Sequence, residues 1–512
     1  MSRREGGRRS GRGAQRQAGG LQQLPWQQVR NPYKPVEVLS EDQVEAIHQA
    51  ALRILEELGI EFMSDRALDR LAAGGAEVER ASGLVRFDRG LVEQSLATVP
   101  ERFTMTPRND AKALEIGGDA AIFGLVNGPP FVTDLDRGRR DGNFADYLNL
   151  LRLGQSLNIV QYVTHQAVAP MDLPADTRFL DCYEAILTLT DKAFYGTAVG
   201  AERVVDALEM VAIARGERRE DLLDRPSIFS VINVNSPRRI DGPLSEGLIA
   251  LAEHGQPAVV TPFCLMGAMT PVTLAAALAQ QHAEALAGIV LTQLARPGAP
   301  VVYGGFTSNV DLRSGAPAFG TPEYAKASMA AGQLARRFRL PYRSSNANAS
   351  TSVDAQAAYE SMMSLWGALM GGANMLHHGA GWLEGGLVAS FEKVVLDAEL
   401  LQNMTEFMKP IAVDQDSLAF EAMQDVGPGG HFFGTAHTLE RYETAFYAPI
   451  LSDWRNFESW QEAGSKTATE RANAVWKRLL AEYEPPPLDQ GRREALAAYV
   501  ARRKEEYGRL AA

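Results

Sequence analysis

The stretch that decides the fold runs from residue 300 to residue 346. It begins with the apolar run "PVVYGGFTS" (300–308), continues with "EYAKASMAAGQLARRF" (323–338), and ends with "LPYRSSN" (340–346). A short apolar run rich in β-branched and aromatic residues predicts a buried strand, whereas apolar residues recurring every three or four positions predict a helix. The order strand, helix, strand predicts two parallel strands joined by a crossover helix.

The same alternation extends over residues 118–410. Eight apolar runs predict strands there, at 120–127, 158–168, 192–200, 227–235, 257–265, 300–308, 340–346 and 374–381. Strict alternation with helical segments predicts a parallel sheet, and eight units fit an α/β fold of the closed (β/α)8 TIM barrel type, which usually takes about 250 residues. An open doubly wound sheet is the alternative. We favour the barrel because no predicted strand is followed by a glycine-rich dinucleotide fingerprint.

The regions on either side of the barrel have different patterns. Residues 1–34 are rich in Arg and Gly and lack an apolar core segment, so they predict a disordered tail that is neither a secretory signal nor a membrane anchor. Residues 35–117, which open with a helix capped by Ser40, predict a mainly helical N-terminal region. Residues 411–512 predict a helical C-terminal extension, which is either a cap on one barrel end or a docking region.

Composition and charge exclude several function classes. The 512 residues are 46% hydrophobic and 22% charged, as in a soluble globular enzyme. The net charge of -12 argues against nucleic-acid binding, which needs a basic surface. Cys182 and Cys264 lie far apart in apolar segments, so we expect neither disulfides nor a thiolate metal site. We therefore expect a cytoplasmic enzyme with a small-molecule substrate and no membrane or metal.

Polar and aromatic residues collect at the carboxyl ends of the predicted strands, where barrel active sites lie. The candidates are His165, Tyr195, Asn233, Asn235, Phe263, Tyr303, Asn346, His377, His378, Trp382 and Glu384. Paired carboxylates for hydrolysis and an acidic set for magnesium are missing from this group. Aromatic faces attract quaternary ammonium groups without a counter-ion, so the set favours a cationic ligand.

Each candidate also has a structural interpretation. Histidines and tyrosines at strand ends are often packed and hydrogen-bonded parts of the core. Because side chains alternate along a strand, at most one of His377 and His378 should face the barrel interior. Asn233 and Asn235 are two apart and share a face, which favours a site role for both.

Several long segments resemble the trimethylamine methyltransferase (MttB) family. They include "YKPVEVLSEDQVEAIHQAALRILEELGIE" (33–61), "VVYGGFTSNVDLRSGAPAFGTPEYAKA" (301–327), "GANMLHHGAGWLEGGL" (372–387) and "GPGGHFFGTAHTLERYETAFYAPILSD" (427–453). The resemblance spans roughly residues 35–504. It implies a (β/α)8 barrel that moves a methyl group from a methylated amine to the cobalt of a separate corrinoid protein.

The resemblance also suggests a substrate class. Founding members carry a pyrrolysine whose imine needs an amine lone pair, whereas this chain has only standard residues, so it is similar to the non-pyrrolysine branch that includes glycine betaine:corrinoid methyltransferases. Quaternary amines have no lone pair and release a neutral tertiary amine. In-line attack by cobalt(I) then requires positioning of the methyl group and exclusion of water, without a general base.

These considerations give each candidate an expected role. We expect Phe263, Tyr303 and Trp382 to surround the ammonium group, with Tyr195 and Glu384 as further substrate contacts. The residues expected to orient the substrate are Asn233, Asn235, Asn346, His165 and His377. Of these, Asn346, His165 and His377 are the expected catalytic residues. His431 and His437, which lie near glycines, are expected to contact the corrinoid partner. We expect no tightly bound cofactor, since the partner supplies the cobalamin, and a homo-oligomeric assembly.

Two other functions remain open at this point. The first is a metal-dependent barrel lyase or hydrolase, whose metal ligands would be His165, His377 or His378, and Glu384. Three histidines from different strands can bind zinc. A non-catalytic betaine-binding protein would also need an aromatic cage.

Overall fold

Eight parallel strands close into a barrel in the computed structural model, which describes residues 21–511. They are β1 (Ala120–Leu125), β2 (Tyr162–Thr164), β3 (Ala193–Tyr195), β4 (Ile228–Val234), β5 (Ala258–Met266), β6 (Val301–Gly304, continued by Phe306–Val310), β7 (Tyr342–Ser345) and β8 (Met375–Ala380). Each strand pairs with the next, and β8 pairs with β1 to close the ring. Each overlaps one of the eight apolar runs, so the predicted barrel is confirmed.

A helix follows each strand on the outside of the barrel. These are α1 (Phe144–Ser156), α2 (Arg178–Leu189), α3 (Ala201–Arg215), α4 (Gly242–Glu253), α5 (Leu274–Ala295), α6 (Pro322–Arg337), α7 (Ala355–Met370) and α8 (Phe391–Phe407). Side-chain caps fix where several begin: Asp241, Asp354 and Ser390 each accept a hydrogen bond from a backbone N–H of the first helical turn. The helices therefore start next to the carboxyl ends of the strands.

Helix α5 is long and apolar enough to cross a membrane by length and composition alone. In its most apolar window, however, 78% of the residues are buried inside the protein. It packs between the barrel strand β5 and two helices of the N-terminal region, Glu41–Arg53 and Arg89–Leu96. A core helix of a large barrel has the same composition, which explains the pattern.

The N-terminal region is helical, as predicted, and also contains short strands. Its helices are Glu41–Arg53, which continues as a π-helical turn over Ile54–Leu58, then Asp65–Ala73, Arg89–Leu96 and the short Asp110–Lys112. Its strands are Ile60–Phe62, Glu77–Glu79, Leu84–Arg86, Phe103–Met105 and Leu114–Ile116. The last two form a hairpin whose side chains Met105, Leu114 and Ile116 join the cluster inside the barrel. The hairpin closes the amino end.

Part of the predicted tail is ordered, which corrects that expectation for residues 21–34. Val29–Arg30 pairs antiparallel with the start of β1, and Trp26 packs against the cluster inside the barrel. The ammonium groups of Lys112 and Lys192 both lie 5.3 Å from the Trp26 ring centroid. The remaining part of the prediction, residues 1–20, lies outside the described residues.

The C-terminal extension is helical, as its sequence predicts. It contains Gln415–Leu418, Phe420–Asp425, Ala436–Arg441, Phe457–Glu462, Ala468–Ala481 and Gln490–Ala511. Helix Ala468–Ala481 packs against α8 and α1, and Gln490–Ala511 packs against α2 and α3. These two long helices therefore cover the outer wall of the barrel.

Candidate active site at the carboxyl end of the barrel

The barrel interior is filled by side chains from alternate positions of the strands. Seven strands contribute apolar or aromatic residues to one cluster, namely Ile122, Tyr162, Ala193, Tyr195, Phe229, Val231, Val259, Val302 and Met375. The remaining strand is β7, and it places Arg343 in register beside Met375. The interior is thus a packed apolar layer interrupted by one cation.

From Tyr162 and Tyr195 of this layer toward the carboxyl end, aromatic rings form a continuous group that we call the mouth cluster. Its members are Tyr162, His165, Tyr195, Phe263, Phe306, Phe319, His377, His378 and Trp382, with neighbouring ring centroids 4.1–6.4 Å apart. The structure therefore brings together the predicted residues His165, Tyr195, Phe263, His377 and Trp382. Tyr162, Phe306 and Phe319 were missing from the candidates. A group of aromatic faces of this kind suits an ammonium ligand.

Both histidines of the pair belong to the mouth cluster, which corrects the expectation that only one could. The register of β8 shifts between Leu376 and Ala380, and His378 has a positive φ of 53°. This bulge breaks the alternation of side chains. The two rings consequently lie 4.1 Å apart, with His378 also 4.1 Å from Trp382. Left-handed backbone at a non-glycine residue is strained and often marks a functional position.

The histidines of the mouth cluster are neutral at ordinary pH. Burial lowers the pKa of His165 to about 3. Burial, with the nearby charge of Arg343, holds the pKa of His377 well below its usual value; burial also lowers that of His378. His377 Nδ1 lies 2.9 Å from the Tyr162 hydroxyl. The mouth cluster therefore presents polarisable neutral rings and carries no positive charge of its own.

The loop between β7 and α7 fixes the position of Trp382. The Trp382 indole N–H donates to the Asn348 carbonyl at 3.1 Å, and the Asn348 amide donates to the Trp382 carbonyl at 2.8 Å. The N–H groups of Ala349 and Ser350 are both bonded to the Glu360 carboxylate at 2.9 Å. This small polar loop lies behind the aromatic wall and supports it.

Two candidates point away from the mouth cluster, which corrects their expected roles. The Tyr303 hydroxyl lies 3.2 Å from Gln281 and 3.1 Å from His282, both in α5 outside the barrel wall. The Asn346 amide donates to the Gly379 carbonyl at 2.9 Å, and its side chain lies beside Asp397 of α8. Both residues follow the outward parity of their strands, so their side chains point away from the barrel interior.

The other polar candidates lie at the edge of the site. Asn233 is exposed on the inward face at the end of β4. Asn235 lies in the loop beyond, where its side chain accepts from the Asp241 N–H at 3.1 Å and stabilises the turn. The Glu384 carboxylate pairs with Arg139 at 3.1 Å. Of the three, Asn233 is the one placed to meet a ligand entering the barrel.

Exposed apolar side chains surround the mouth cluster and form what we call the apolar rim. They lie in six different loops that follow strands: Leu135, Met171, Val199, Val272, Leu312 and Leu387. Leu312 is 72% exposed and Val272 is 62% exposed. Exposed apolar residues grouped at one end of a barrel are typical of an interaction surface.

His431 and His437 lie elsewhere, in a segment that leaves the barrel after α8. Because α8 starts at the carboxyl end of the barrel, it ends at the opposite, amino end. The contacts of the two histidines are within their own segment: His431 stacks near Phe433 at 5.8 Å, and the His437 carbonyl accepts from Arg441 at 3.2 Å. Their expected role as corrinoid contacts stays a prediction.

The alternative metal site has no matching geometry. Within residues 21–511, no group of three or more His, Cys, Asp or Glu side chains is arranged to hold a metal ion. His165, His377 and His378 instead make ring contacts with Tyr195, Tyr162 and Trp382. The carboxylate proposed as the further ligand, Glu384, is bonded to Arg139.

Sequence comparisons agree with this geometry. The family model described as "Trimethylamine methyltransferase (MTTB)" matches residues 4–508. The chain belongs to this family. It is a methyltransferase that is 38% identical over 472 residues to glycine betaine methyltransferase of Desulfitobacterium hafniense (strain Y51), covering 92% of this chain and 98% of that protein.

Other similar proteins are more distant. This methyltransferase is 28% identical to trimethylamine methyltransferase MttB of D. hafniense (strain DSM 10664 / DCB-2), over 92% of this chain and 94% of the relative. It is 28% identical to proline betaine:corrinoid methyltransferase of Eubacterium limosum, over 89% and 96% of the two chains. A crystal structure of the hydroxylamine MtmB complex aligns with a TM-score of 0.46 at 9% identity, covering 87% of this chain and 95% of that one.

Proposed function

We propose that this methyltransferase moves a methyl group from a betaine-type quaternary amine to the cobalt of a corrinoid held by a separate protein. The observation that carries the proposal is the mouth cluster, a buried group of neutral aromatic and imidazole rings at the catalytic end of a barrel. Such rings stabilise a quaternary ammonium group by cation–π attraction. The names of two relatives, which act on glycine betaine and proline betaine, support the same substrate class.

In this methyl transfer the main role of the side chains is to position the substrate. The corrinoid, when its carrier protein is docked, supplies the nucleophile for the methyl carbon. As the carbon–nitrogen bond breaks, its electron pair stays on nitrogen and a neutral tertiary amine leaves, so no proton is transferred. Trp382, Phe306 and His378 would hold one N-methyl group toward the opening and exclude water. Neutral histidines fit this role, because a protonated ring would repel the substrate cation.

We propose that the apolar rim is the docking surface of the corrinoid protein. The acceptor must reach the substrate at the mouth cluster, and the rim surrounds that opening. Its six apolar side chains suit contact with the apolar face of a corrin macrocycle. Leu312→Asp should therefore raise the KM for the corrinoid protein about 10-fold, as for loss of a central apolar contact. Binding of the amine should be unchanged, and equal KM values for wild type and variant would contradict the assignment.

Turnover with defined amines tests the proposed function. Purified protein is mixed with cobalt(I) cobalamin and with glycine betaine, proline betaine or trimethylamine, and methylation is followed by absorbance. We expect methylation with a betaine and none with trimethylamine. Trp382→Ala should lose most of this activity, whereas Tyr303→Phe, which changes a side chain that points out of the barrel wall, should keep it. The proposal fails if no betaine is demethylated and none raises the melting temperature.

We further propose that residues 411–457 form an arm that packs against a second copy of the chain. Twelve large apolar side chains in this segment are exposed: Ile411, Val413, Leu418, Phe420, Met423, Phe432, Phe433, Leu439, Tyr442, Phe446, Trp454 and Phe457. Permanent interfaces between copies of one chain are large and apolar, and the twelve side chains of the arm are twice as many as those of the apolar rim proposed for the corrinoid protein. A second copy is therefore the favoured occupant.

Light scattering on the purified protein tests the arm. We expect a dimer or larger closed assembly, and a shift to monomer when Phe446 and Trp454 are both changed to Ser. Leu312→Asp, which changes an exposed apolar residue of the loop after β6 rather than of the arm, is the matched control and should leave the assembly unchanged. A wild-type monomer would overturn this proposal and favour His431 and His437 as part of the corrinoid docking surface.

A further inference from the structure

Arg343 is a buried cation that lacks an anionic partner. It lies in the middle of β7 with its side chain inside the barrel, and it is 2% exposed. Its Nε and Nη1 atoms are buried and make no hydrogen bond. Among residues 21–511, no carboxylate lies within ion-pair distance of it. A buried guanidinium with unused donors is costly, so Arg343 calls for a partner that the described residues do not supply.

The position of Arg343 links it to the mouth cluster. Its guanidinium carbon lies 5.2 Å from the ring centroid of Phe306. Its positive charge is also among the causes that lower the pKa of His377 and His378, in agreement with a guanidinium close to these rings. The Ser345 hydroxyl, two residues along β7, lies 3.3 Å from His378 Nδ1 on the same inward face. The arginine is therefore at the base of the proposed substrate site.

We propose that Arg343 binds the carboxylate of the substrate and thereby selects betaines among quaternary amines. The inference rests on the proposed function and names the second half of the ligand. A guanidinium offers a planar set of N–H donors that matches a carboxylate. In a bound betaine, the carboxylate would face Arg343 and the ammonium group would face Trp382 and Phe306. The substrate carboxylate would then lie between the ammonium group of the substrate and the guanidinium of Arg343.

This arrangement predicts discrimination by charge. Choline and tetramethylammonium carry the ammonium group without the carboxylate. Binding either of them would place a second cation near Arg343 in a site that excludes water, where like charges repel strongly. The guanidinium would also stay unpaired. A betaine should therefore bind much more tightly than choline, although both present a trimethylammonium group to the same rings.

Calorimetric titration of glycine betaine and choline into the full-length protein tests the inference. We expect wild type to prefer glycine betaine by about 100-fold or more, the effect of one desolvated charged hydrogen-bonding partner. Arg343→Met should weaken glycine betaine about 100-fold and leave choline unchanged or tighter. Arg343→Lys, which keeps the charge but loses the planar donors, should recover part of the affinity.

A matched variant separates binding from folding. Arg336 is a partly buried arginine that also has a buried, unpaired donor atom, but it lies on α6 outside the barrel, so Arg336→Met should not change the preference. If Arg343 were purely structural, Arg343→Met would lower the melting temperature and weaken both ligands equally. That result, or equal affinity of wild type for betaine and choline, would overturn the inference.

The same titration distinguishes this inference from the proposed function. Binding is measured without any corrinoid, so a preference for betaine that depends on Arg343 would support the inference even if no methyl transfer occurred. Conversely, methyl transfer from betaine and choline at equal rates by both wild type and Arg343→Met would leave the proposed function standing and refute the role of Arg343.

Discussion

Two buried cations lie on either side of the barrel wall, and they differ in their partners. Lys393, at the start of α8, is fully buried and donates to the Ser361 hydroxyl at 2.7 Å and to the Asp397 carboxylate. Arg343, on the inside of β7, is almost as buried and has no carboxylate beside it. The comparison suggests that a paired buried charge supports the fold, whereas an unpaired one is kept for a ligand.

The paired cation supports the site indirectly. The second carboxylate oxygen of Asp397 accepts from the Gly381 N–H at 2.9 Å, just before Trp382. Ser361 also receives a hydrogen bond from Asn348, the residue that holds the Trp382 backbone. The buried pair thus fixes the short stretch that presents Trp382 to the mouth cluster.

The largest expected effect comes from removing Lys393, the buried cation that has a carboxylate partner. Lys393→Met leaves Asp397 buried without its cation, and we expect the free energy of unfolding to fall by about 3–5 kcal/mol. Urea denaturation measures it. The double variant Lys393→Met with Asp397→Leu removes both charges and should recover most of the loss. A single-variant loss under about 1 kcal/mol would contradict the structural role of the pair.

The next effect concerns the aromatic wall above Arg343. Trp382→Ala removes the best cation–π partner from a site that excludes water, and we expect glycine betaine binding to weaken by about 2 kcal/mol. Titration calorimetry gives the dissociation constant. Trp382→Phe keeps an aromatic face and should lose clearly less. Equal affinities for wild type and Trp382→Ala would remove the indole from the proposed cage.

A smaller effect tests the neutral state of the mouth histidines. The folded-state pKa of His165 is about 3, below the usual 6.5, so the unfolded chain binds the proton first. Its contribution to stability is present above pH 6.5 and is lost as the pH falls below that value. When the pH falls from 7.5 to 5.5, the free energy of unfolding of wild type should decrease by about 1.4 kcal/mol more than that of His165→Phe. Parallel pH dependences in urea denaturation would argue that His165 is accessible to protons.

The smallest effect is expected outside the wall. Tyr303→Phe removes hydroxyl contacts with Gln281 and His282, and should cost about 1 kcal/mol of stability. Betaine affinity and turnover should be unchanged, because the ring faces α5 rather than the mouth cluster. A marked loss of affinity would show that the substrate site extends through the barrel wall.

The barrel could be predicted from the sequence because buried parallel strands require continuous apolar runs, and eight such runs alternate with helical patterns. Which face each residue occupies was harder to predict. In "VVYGG" the residues on both faces of the strand are apolar. The sequence therefore does not distinguish the inward-facing Val302 from the outward-facing Tyr303. The alternation rule also failed at His377 and His378, since a bulge after Leu376 turns both rings to one side.

Arg343 is the site residue that sequence reasoning missed most clearly. It stands inside a predicted strand, between Tyr342 and Ser344, where a charge is unexpected. That anomaly was the available signal, because a cation in a buried strand needs either an acid or a ligand. Deciding between the two requires knowing which acids fold near it, and this depends on contacts far apart in the chain.

The most direct measurement is a structure of the protein with glycine betaine bound. Our account predicts that the trimethylammonium group lies within about 6 Å of the ring centroids of Trp382 and Phe306. It also predicts a carboxylate oxygen within about 3 Å of an Arg343 nitrogen. A betaine bound outside the mouth cluster, or one whose carboxylate points toward the apolar rim and away from Arg343, would contradict the account.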